Sequence, residues 1–330
     1  MSKAKRTPET TKRAEKSRQK TKYRVSNWAE YNASLVQRGS ITVWIDEEVL
    51  ESWQPVVEGR RKRGGQPRYS ERAIECLLTL KAVFHLPYRQ TEGFGKSLME
   101  LLAVNVPIPD YTTLCIRSAD LKVVLSPSQA QGAKHIVVDS TGLKVYGEGE
   151  WKVRQHGYSK RRTWRKLHLS VDEATQSIEA VVLTEAGVDD AEAGGDLLDE
   201  TGGSLEQVSA DGAYDKRKFY DACQRHQIKR IAIPPRRDAR IWQHGNSSKP
   251  PLPRDQNLRR IRQVGRKRWK QQVGYHRRSL AETAVFRFKI VFGNTLSARS
   301  LPRQITEARI KAAALNRMTQ LGMPDSYAVA

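Results

Sequence analysis

The sequence predicts an α/β domain built on a mixed sheet and preceded by an all-α domain. Two observations lead to this fold class. From residue 27 to about residue 130 apolar residues recur at helical spacing, whereas from residue 134 short β-rich segments alternate with helical ones. The 330 residues are enough for both domains. The predicted divisions are a basic disordered tail at 1–26, the helical domain at 27–130, the α/β domain at 131–320 with a basic insert at about 234–274, and a C-terminal tail at 321–330.

The helical domain is predicted to contain three consecutive helices. Ser70 caps the first, which Pro87 ends, and the second covers residues 89–102. Asp110 then caps a short polar helix over residues 112–121. This arrangement is typical of a helix-turn-helix that binds DNA, but a plain helical bundle that supports oligomerisation explains the pattern equally well.

The α/β domain begins with a buried-strand run, Ile136–Val138, that is predicted to end in Asp139. Two further strands with a polar turn between them predict a hairpin over 167–171 and 178–183. The remaining predicted elements are a helix at 189–200, a strand at 207–210, a helix at 215–227, a strand at 228–233 and a last helix that carries Glu282.

This order of strands and helices is that of the ribonuclease H-like fold. Asp139 ends the first strand, Asp211 follows the fourth, and Glu282 lies on the last helix. Strands one and four are neighbours in that topology, so the three carboxylates are expected to converge. Three carboxylates suit two hard cations such as Mg²⁺, which activate a nucleophilic oxygen of water or of a 3′-hydroxyl and stabilise the departing oxygen.

Around Glu282, three more functional side chains are predicted to share one helix face. At 100° per residue Tyr275, Arg278 and Lys289 fall at about +20°, −40° and −20° from Glu282. One interpretation is a site for phosphate chemistry, with cations beside a carboxylate. The other is an ordinary amphipathic helix whose i,i+4 ion pair is worth about 0.2 to 0.5 kcal/mol.

The charge of the chain predicts a polyanionic partner. Lys and Arg number 58 against 36 Asp and Glu, a formal net charge of +22. The excess is clustered, and each cluster can displace counterions from a nucleic-acid backbone. The clusters cover residues 1–25, 152–166 and 254–278. Trp164 lies in the second beside Arg165 and Lys166, and these three are DNA-binding candidates because an aromatic ring among cations stacks on bases. A core role for Trp164 is the alternative.

Three motifs resemble the signature regions of bacterial insertion-sequence DDE transposases, close to the branch typified by insertion sequence five. They are Val138-Asp139-Ser140-Thr141-Gly142, Ala210-Asp211-Gly212-Ala213-Tyr214-Asp215, and Tyr275-x2-Arg278-x3-Glu282-x6-Lys289. Residues 27–32, 89–94 and 164–169 are also similar to that branch, so the resemblance covers nearly the whole chain.

The resemblance implies a role for each matching position. Asp139, Asp211 and Glu282 would be catalytic metal ligands for two Mg²⁺ ions, with Mn²⁺ as a substitute. Tyr275, Arg278 and Lys289 would contact DNA phosphates near the cleaved strand end. In contrast, Asp189, Asp190 and Asp215 lie at predicted helix starts and are interpreted as caps or dipole partners.

The implied function is transposition. The protein would bind the terminal inverted repeats of an insertion sequence as double-stranded DNA, cleave there, and join the 3′-hydroxyl ends to target DNA as a homodimer or larger assembly. Two alternatives stay open: a non-catalytic DNA-binding regulator, and a nuclease of the same fold that does not recombine DNA.

The remaining features predict a protein of the reducing bacterial cytoplasm, associated with the nucleoid when bound to DNA. No run of 18 apolar residues predicts a membrane span, and the N-terminus lacks the apolar stretch of a signal peptide. Cys76, Cys115 and Cys223 are scattered, with neither a disulfide framework nor a zinc spacing.

Overall fold

The computed structural model describes residues 22–55, 66, 68–125, 132–145, 164–244 and 250–329. Most of the predicted basic tail and residues 152–163 of the second basic cluster lie outside the described residues. The chain divides into two compact units, one formed by Met1–Val43 with Met318–Ala330 and the other by Trp44–Arg317. No helix among the described residues is both long and apolar enough to cross a membrane.

In chain order the helices and strands are β1 (Lys22–Val25), α1 (Trp28–Gln37), α2 (Glu47–Glu51), α3 (Glu71–Val83), α4 (Tyr88–Leu101), α5 (Tyr111–Arg117), β2 (Lys134–Val145), β3 (Trp164–Asp172), β4 (Ile178–Glu185), α6 (Asp190–Glu200), β5 (Leu205–Ser209), α7 (Arg217–Arg225), β6 (Arg230–Ala232), α8 (Pro253–Val264), α9 (Arg266–Gln272), α10 (Ser279–Phe292), β7 (Thr295–Leu296), α11 (Leu301–Leu321) and β8 (Ser326–Val329). Short 3₁₀ helices cover Ile41–Val43, Gly212–Tyr214 and Tyr275–Arg278.

In the first unit, strand β1 pairs with β8 in antiparallel register. The Asn27 side chain binds the backbone just before β8: Nδ2 donates to the Met323 carbonyl at 3.0 Å, and Oδ1 accepts from the Asp325 amide at 2.8 Å. Both strands lie in ranges that the sequence analysis gave to terminal tails. Lys22–Val25 and Ser326–Val329 are therefore ordered by each other, through backbone pairing over a separation that no local pattern reveals.

The helices α3, α4 and α5 belong to the same compact unit as the sheet. Ser70 caps α3 as predicted, its hydroxyl accepting from the Ala73 amide at 3.1 Å, and Ile74, Leu77 and Leu80 are fully buried. Asp110 likewise caps α5. The predicted helices therefore exist, with α5 ending at Arg117 rather than at 121; whether they act as a helix-turn-helix stays a prediction.

The central sheet is mixed, as predicted. Its strand order is β4-β3-β2-β5-β6, with β7 added beside β2. The pairs β2–β3 and β3–β4 are antiparallel, and β2–β5 and β5–β6 are parallel. The predicted β3–β4 hairpin is confirmed. Helices α6 and α7 pack on one face of the sheet, where Val138, Leu197 and Phe219 share one core. This mixed sheet flanked by helices matches a ribonuclease H-like fold.

Strand β2 is longer than the sequence predicts. Asp139 does not end it: the strand continues to Val145 because Ser140–Lys144 pair with Trp164–His168 of β3. Backbone pairing with a partner strand extends β2 beyond its apolar run, so the prediction that the strand ends in Asp139 is wrong.

The described part of the basic insert is folded onto the second unit. It forms α8 and α9, in which Leu258 and Trp269 are buried. The Asn257 side chain joins α8 to the sheet edge by donating to the carbonyl of Ile231 in β6 at 2.6 Å, and it accepts from the indole of Trp269 at 3.3 Å. Although the insert is basic, these residues contribute to the core of the second unit.

Candidate active site

Asp139 lies on β2, and Asp211 follows the neighbouring parallel strand β5. Val137 is in register with Ser209, and each aspartate is two residues further along its chain. Both carboxylates accept local backbone bonds, Asp139 from the Ser140 amide at 3.0 Å and Asp211 from the Ala213 amide at 2.8 Å. The Asp211 bond starts the 3₁₀ helix after β5. The sheet thus brings together two acids that are far apart in sequence.

Arg278 connects the third acid to the sheet. Its guanidinium donates to the Glu282 carboxylate, and Nη1 lies 3.7 Å from Oδ1 of Asp139. The Glu282 side chain is 54% exposed, whereas those of Arg278 and Asp139 are 22% and 16% exposed. One cation therefore contacts two of the three predicted carboxylates at the rim of the sheet.

The electrostatics of Asp139 reflect the two other acids of the site. Burial raises the pKa of Asp139, while the Ser140 amide and the Arg278 guanidinium lower it. The charges of Asp211 and Glu282 raise this pKa further. A cation beside the acids therefore favours the ionised form of Asp139.

Tyr275 lies in the same electrostatic environment. The pKa of its phenol is raised, mainly by burial. Arg278 lowers this pKa, and the charges of Asp211, Asp139 and Glu282 raise it. The phenol consequently stays protonated at neutral pH and is available as a hydrogen-bond donor. Lys270 stands over its ring, with Nζ 4.8 Å from the centroid.

The predicted helical stripe is only partly one α-helix. Tyr275 and Arg278 lie in a 3₁₀ helix, and α10 begins at Ser279. A 3₁₀ helix has about 3.0 residues per turn, so the 100° spacing does not extend back to Tyr275. Gly274, with φ of 66°, separates this 3₁₀ helix from α9. Within α10, Glu282 and Lys289 keep the predicted spacing.

The donor set fits a hard divalent cation in its chemistry, because Asp139, Asp211 and Glu282 offer only carboxylate oxygens. Within the described ranges, no three acid, histidine or cysteine side chains are gathered closely enough to hold a metal ion. Glu282 does not join such a group because its carboxylate is directed to the Arg278 guanidinium.

The structure does not gather Trp164, Arg165 and Lys166 at these acids. Trp164 packs on Gly142, where an added Cβ would lie 3.2 Å from the indole. Arg165 donates from Nε to the Gln304 side chain at 2.9 Å. Lys166 donates to the Val188 carbonyl at 2.9 Å and pairs with Asp190 at 3.2 Å. Their DNA-binding role stays a prediction.

The three aspartates interpreted as caps differ in their contacts. Asp189 caps α6 by accepting from the Ala191 amide at 3.0 Å, whereas Asp190 pairs with Lys166. Asp215 is not a cap of α7: its carboxylate accepts from Nε of Arg254 at 2.7 Å and from Nη2 at 3.3 Å. Both side chains of that pair are almost fully buried. Sequence reasoning missed this pair because its partners are 39 residues apart.

Two family models match the chain, and each is described as a transposase DDE domain. One covers residues 36–148 and the other residues 130–317, which is more than half of the chain. A solved structure with some similarity is the cryo-EM structure of a piggyBac transposase synaptic complex with hairpin DNA. It is 11% identical, covers 86% of this chain and 73% of that chain, and has a TM-score of 0.35, which is too low to align individual residues. The match of the second model, together with the carboxylates on its sheet, leads to one conclusion: the chain belongs to the DDE transposase family.

Proposed function

We propose that this protein cleaves phosphodiester bonds at the ends of an insertion sequence and joins the freed 3′-hydroxyl ends to target DNA. The observation that carries the proposal is the contact of one arginine, Arg278, with both Glu282 and Asp139, beside a parallel strand that leads to Asp211. The Tyr275, Arg278, Glu282 and Lys289 spacing supports the branch typified by insertion sequence five.

In this proposal Asp139, Asp211 and Glu282 hold two Mg²⁺ ions, for which Mn²⁺ substitutes. When bound, the cations supply a deprotonated oxygen nucleophile and stabilise the departing oxygen. The protein's own contribution is to fix the acids on β2, on the turn after β5 and on α10. Rigid elements of this kind keep a catalytic constellation within the small tolerances that it needs.

Arg278 and Lys289 would hold the phosphodiester, and Tyr275 would donate a hydrogen bond to it. Arg278 is suited to a change of partner because its pair with Glu282 is half-exposed. If the Glu282 carboxylate held a cation, the Arg278 guanidinium would be available for a phosphate, which matches its planar fork. The cation and the DNA phosphate would thus each bind one member of the Arg278–Glu282 pair.

The wider DNA interface in this proposal is electrostatic. Exposed cations on α8 and α9 would follow the phosphate backbone of double-stranded DNA; they are Arg260, Arg262, Lys267 and Arg268. The helical domain at 27–130 would bind the terminal inverted repeats, and a homodimer or larger assembly would hold two ends. The protein would work in the bacterial cytoplasm, at the nucleoid.

The test is the Glu282→Gln variant on a duplex copied from the DNA that flanks the gene, with Mg²⁺. We expect strand cleavage to fall by at least about 1,000-fold, or about 4 kcal/mol of barrier, because a cation ligand is lost. DNA binding is expected to persist, since no cation that contacts phosphate is removed.

The matched control is Glu192→Gln, which neutralises an exposed glutamate paired with Lys218 at 3.0 Å on another helix. It should cleave like the wild type. Cleavage by Glu282→Gln at the wild-type rate would contradict the assignment and favour a non-catalytic DNA-binding regulator. Cleavage without strand transfer from pre-cleaved ends would instead identify a nuclease of the same fold.

A further inference from the structure

A second charged cluster, centred on Asp215, follows Asp211 in the same turn of the chain. The 3₁₀ helix Gly212–Tyr214 has Asp211 at its start and Asp215 at its end. Asp211 is partly exposed, as a cation ligand must be, whereas the Asp215 side chain is only 2% exposed. Because the turn between them is so short, whatever fixes Asp215 also restricts where Asp211 can lie.

Asp215 is held by Arg254, the second residue of α8. Besides the two bonds to the carboxylate, the guanidinium donates from Nη1 to the carbonyl of Arg240 at 2.8 Å and lies 3.8 Å from the centre of the Trp242 ring. The Tyr220 hydroxyl adds a bond to Asp215 at 3.2 Å. These bonds to the Asp215 carboxylate come from side chains of α7 and α8, and the arginine fork sets its orientation.

Its neighbour Asp255 anchors the same part of the insert. This fully buried carboxylate accepts from the amide of Trp242 at 3.0 Å and from that of Gln243 at 2.8 Å. The start of α8 is therefore attached both to the segment before it and to the turn that bears Asp211. The same helix exposes Arg260 and Arg262 at its other end.

We propose that Arg254 is a positioning residue, which fixes the turn of Asp211 through Asp215 and so connects a cation-binding carboxylate to the basic insert. This inference rests on the proposed function, because it assigns Asp211 to cation binding. Arg254 does not touch the reacting atoms. Substitution of Arg254 should weaken cation binding at Asp211 more than a substitution that only lowers the stability of the protein.

The test measures Mn²⁺ binding to the full-length protein without DNA. Binding is monitored through the electron paramagnetic resonance signal of free Mn²⁺. Arg254→Lys keeps the charge and loses the fork. We expect its Mn²⁺ dissociation constant to rise about tenfold to 100-fold, the range for residues that orient metal ligands. Cleavage of the flanking-DNA duplex should need a correspondingly higher Mg²⁺ concentration for half-maximal rate, with unchanged DNA affinity.

Two further variants keep the test decisive. Tyr220→Phe removes only one bond to Asp215, so it retains the fold and should shift the Mn²⁺ constant in the same direction by a smaller factor. Lys134→Met breaks another buried ion pair of the sheet, with Glu179, at the start of β2. It should lower the melting temperature and leave the Mn²⁺ constant unchanged.

A wild-type Mn²⁺ constant in both Arg254→Lys and Tyr220→Phe would overturn the inference, and so would an equal shift in Lys134→Met. These outcomes are separable from failure of the proposed function. If wild-type protein does not cleave, or Glu282→Gln still does, the proposed function fails. If cleavage depends on Glu282 but Mn²⁺ binding ignores Arg254, only the positioning role fails.

Discussion

Two arginine–carboxylate pairs differ in almost everything except their chemistry. The rim pair, Arg278 with Glu282, has side chains 22% and 54% exposed. The buried pair, Arg254 with Asp215, has side chains 5% and 2% exposed. Each arginine also lies near a second carboxylate, Arg278 near Asp139 at 3.7 Å and Arg254 near Asp255 at 3.5 Å. Arg254 in addition binds the Arg240 carbonyl and covers the Trp242 ring. The rim pair can exchange its partners with ions and phosphate; the buried pair is fixed.

Solvent explains why these pairs suit different tasks. At the rim, water and salt screen the charges, so the pair contributes about 0 to 1 kcal/mol and is easily replaced. Inside the protein, desolvation offsets much of the Coulomb attraction, yet removing one partner leaves an unpaired charge without water. A rim pair is therefore suited to binding, and a buried pair to holding geometry.

The largest stability difference should come from deleting the carboxylate of each pair. Asp215→Ala removes the nearer of two buried carboxylates beside Arg254 and leaves Asp255 at 3.5 Å. We expect the free energy of unfolding to fall by about 3 to 4 kcal/mol, the lower part of the range for a broken buried pair. Glu282→Ala frees a partly exposed arginine, and a change within about 1 kcal/mol is expected. Urea unfolding followed by circular dichroism at neutral pH measures both. Equal losses of unfolding free energy in the two variants would show that burial does not determine how much each pair contributes to stability.

Sequence reasoning succeeded where local chemistry or strand periodicity decides the structure. The β3–β4 hairpin and the Ser70 cap are of this kind. It failed where distant segments meet: Asp139 was expected to end its strand, but pairing with β3 carries β2 on to Val145. The buried pair left no signal, because no pattern links Arg254 to Asp215; only Pro253, a favoured first helical residue, marks the start of α8.

The candidate site was predictable to a similar extent. Once the order of strands was known, neighbouring positions for Asp139 and Asp211 followed from the topology, and the register of β2 with β5 agrees. The 3₁₀ turn before α10 could not be foreseen, because Gly274 can either continue a helix or adopt positive φ. The bridging contact of Arg278 depends on that turn and on the closeness of β2, which are tertiary features.

An intermediate effect should arise from His168, a buried polar group of the sheet. Its Nε2 lies 3.0 Å from the Thr184 hydroxyl, and burial lowers its pKa from 6.5 to about 4; the nearby Asp190 opposes this shift and Lys166 adds to it. The neutral ring is therefore favoured in the folded protein. As the pH falls from about 6.5 to 4, the unfolded chain binds a proton that the folded protein excludes, so about 3 kcal/mol of stability should be lost.

The comparison that isolates this effect is between wild type and His168→Gln, which keeps a polar side chain without a titratable ring. Both proteins are unfolded in urea at several pH values between about 4 and 7, and the slope of stability against pH is compared. The wild type should lose more stability towards acid. Parallel slopes would mean that the pKa of His168 is the same in the folded and unfolded protein, contrary to its burial.

The smallest effect tests whether the rim pair exchanges partners. Arg278→Gln should change stability by less than about 1 kcal/mol, yet lower the slope of log affinity against log salt by about 0.9 on a pre-cleaved duplex, because one phosphate contact is lost. Fluorescence anisotropy with Ca²⁺ present, which provides a divalent oxygen-binding cation, measures the slope. The control is Arg225→Gln, which changes an exposed arginine of α7 that lies 3.6 Å from Asp199 of α6. The salt slope of this variant should match that of the wild type. An unchanged slope in Arg278→Gln would mean that Arg278 stays with Glu282 when DNA binds, and the phosphate would then have to be held by Lys289 and Tyr275 alone.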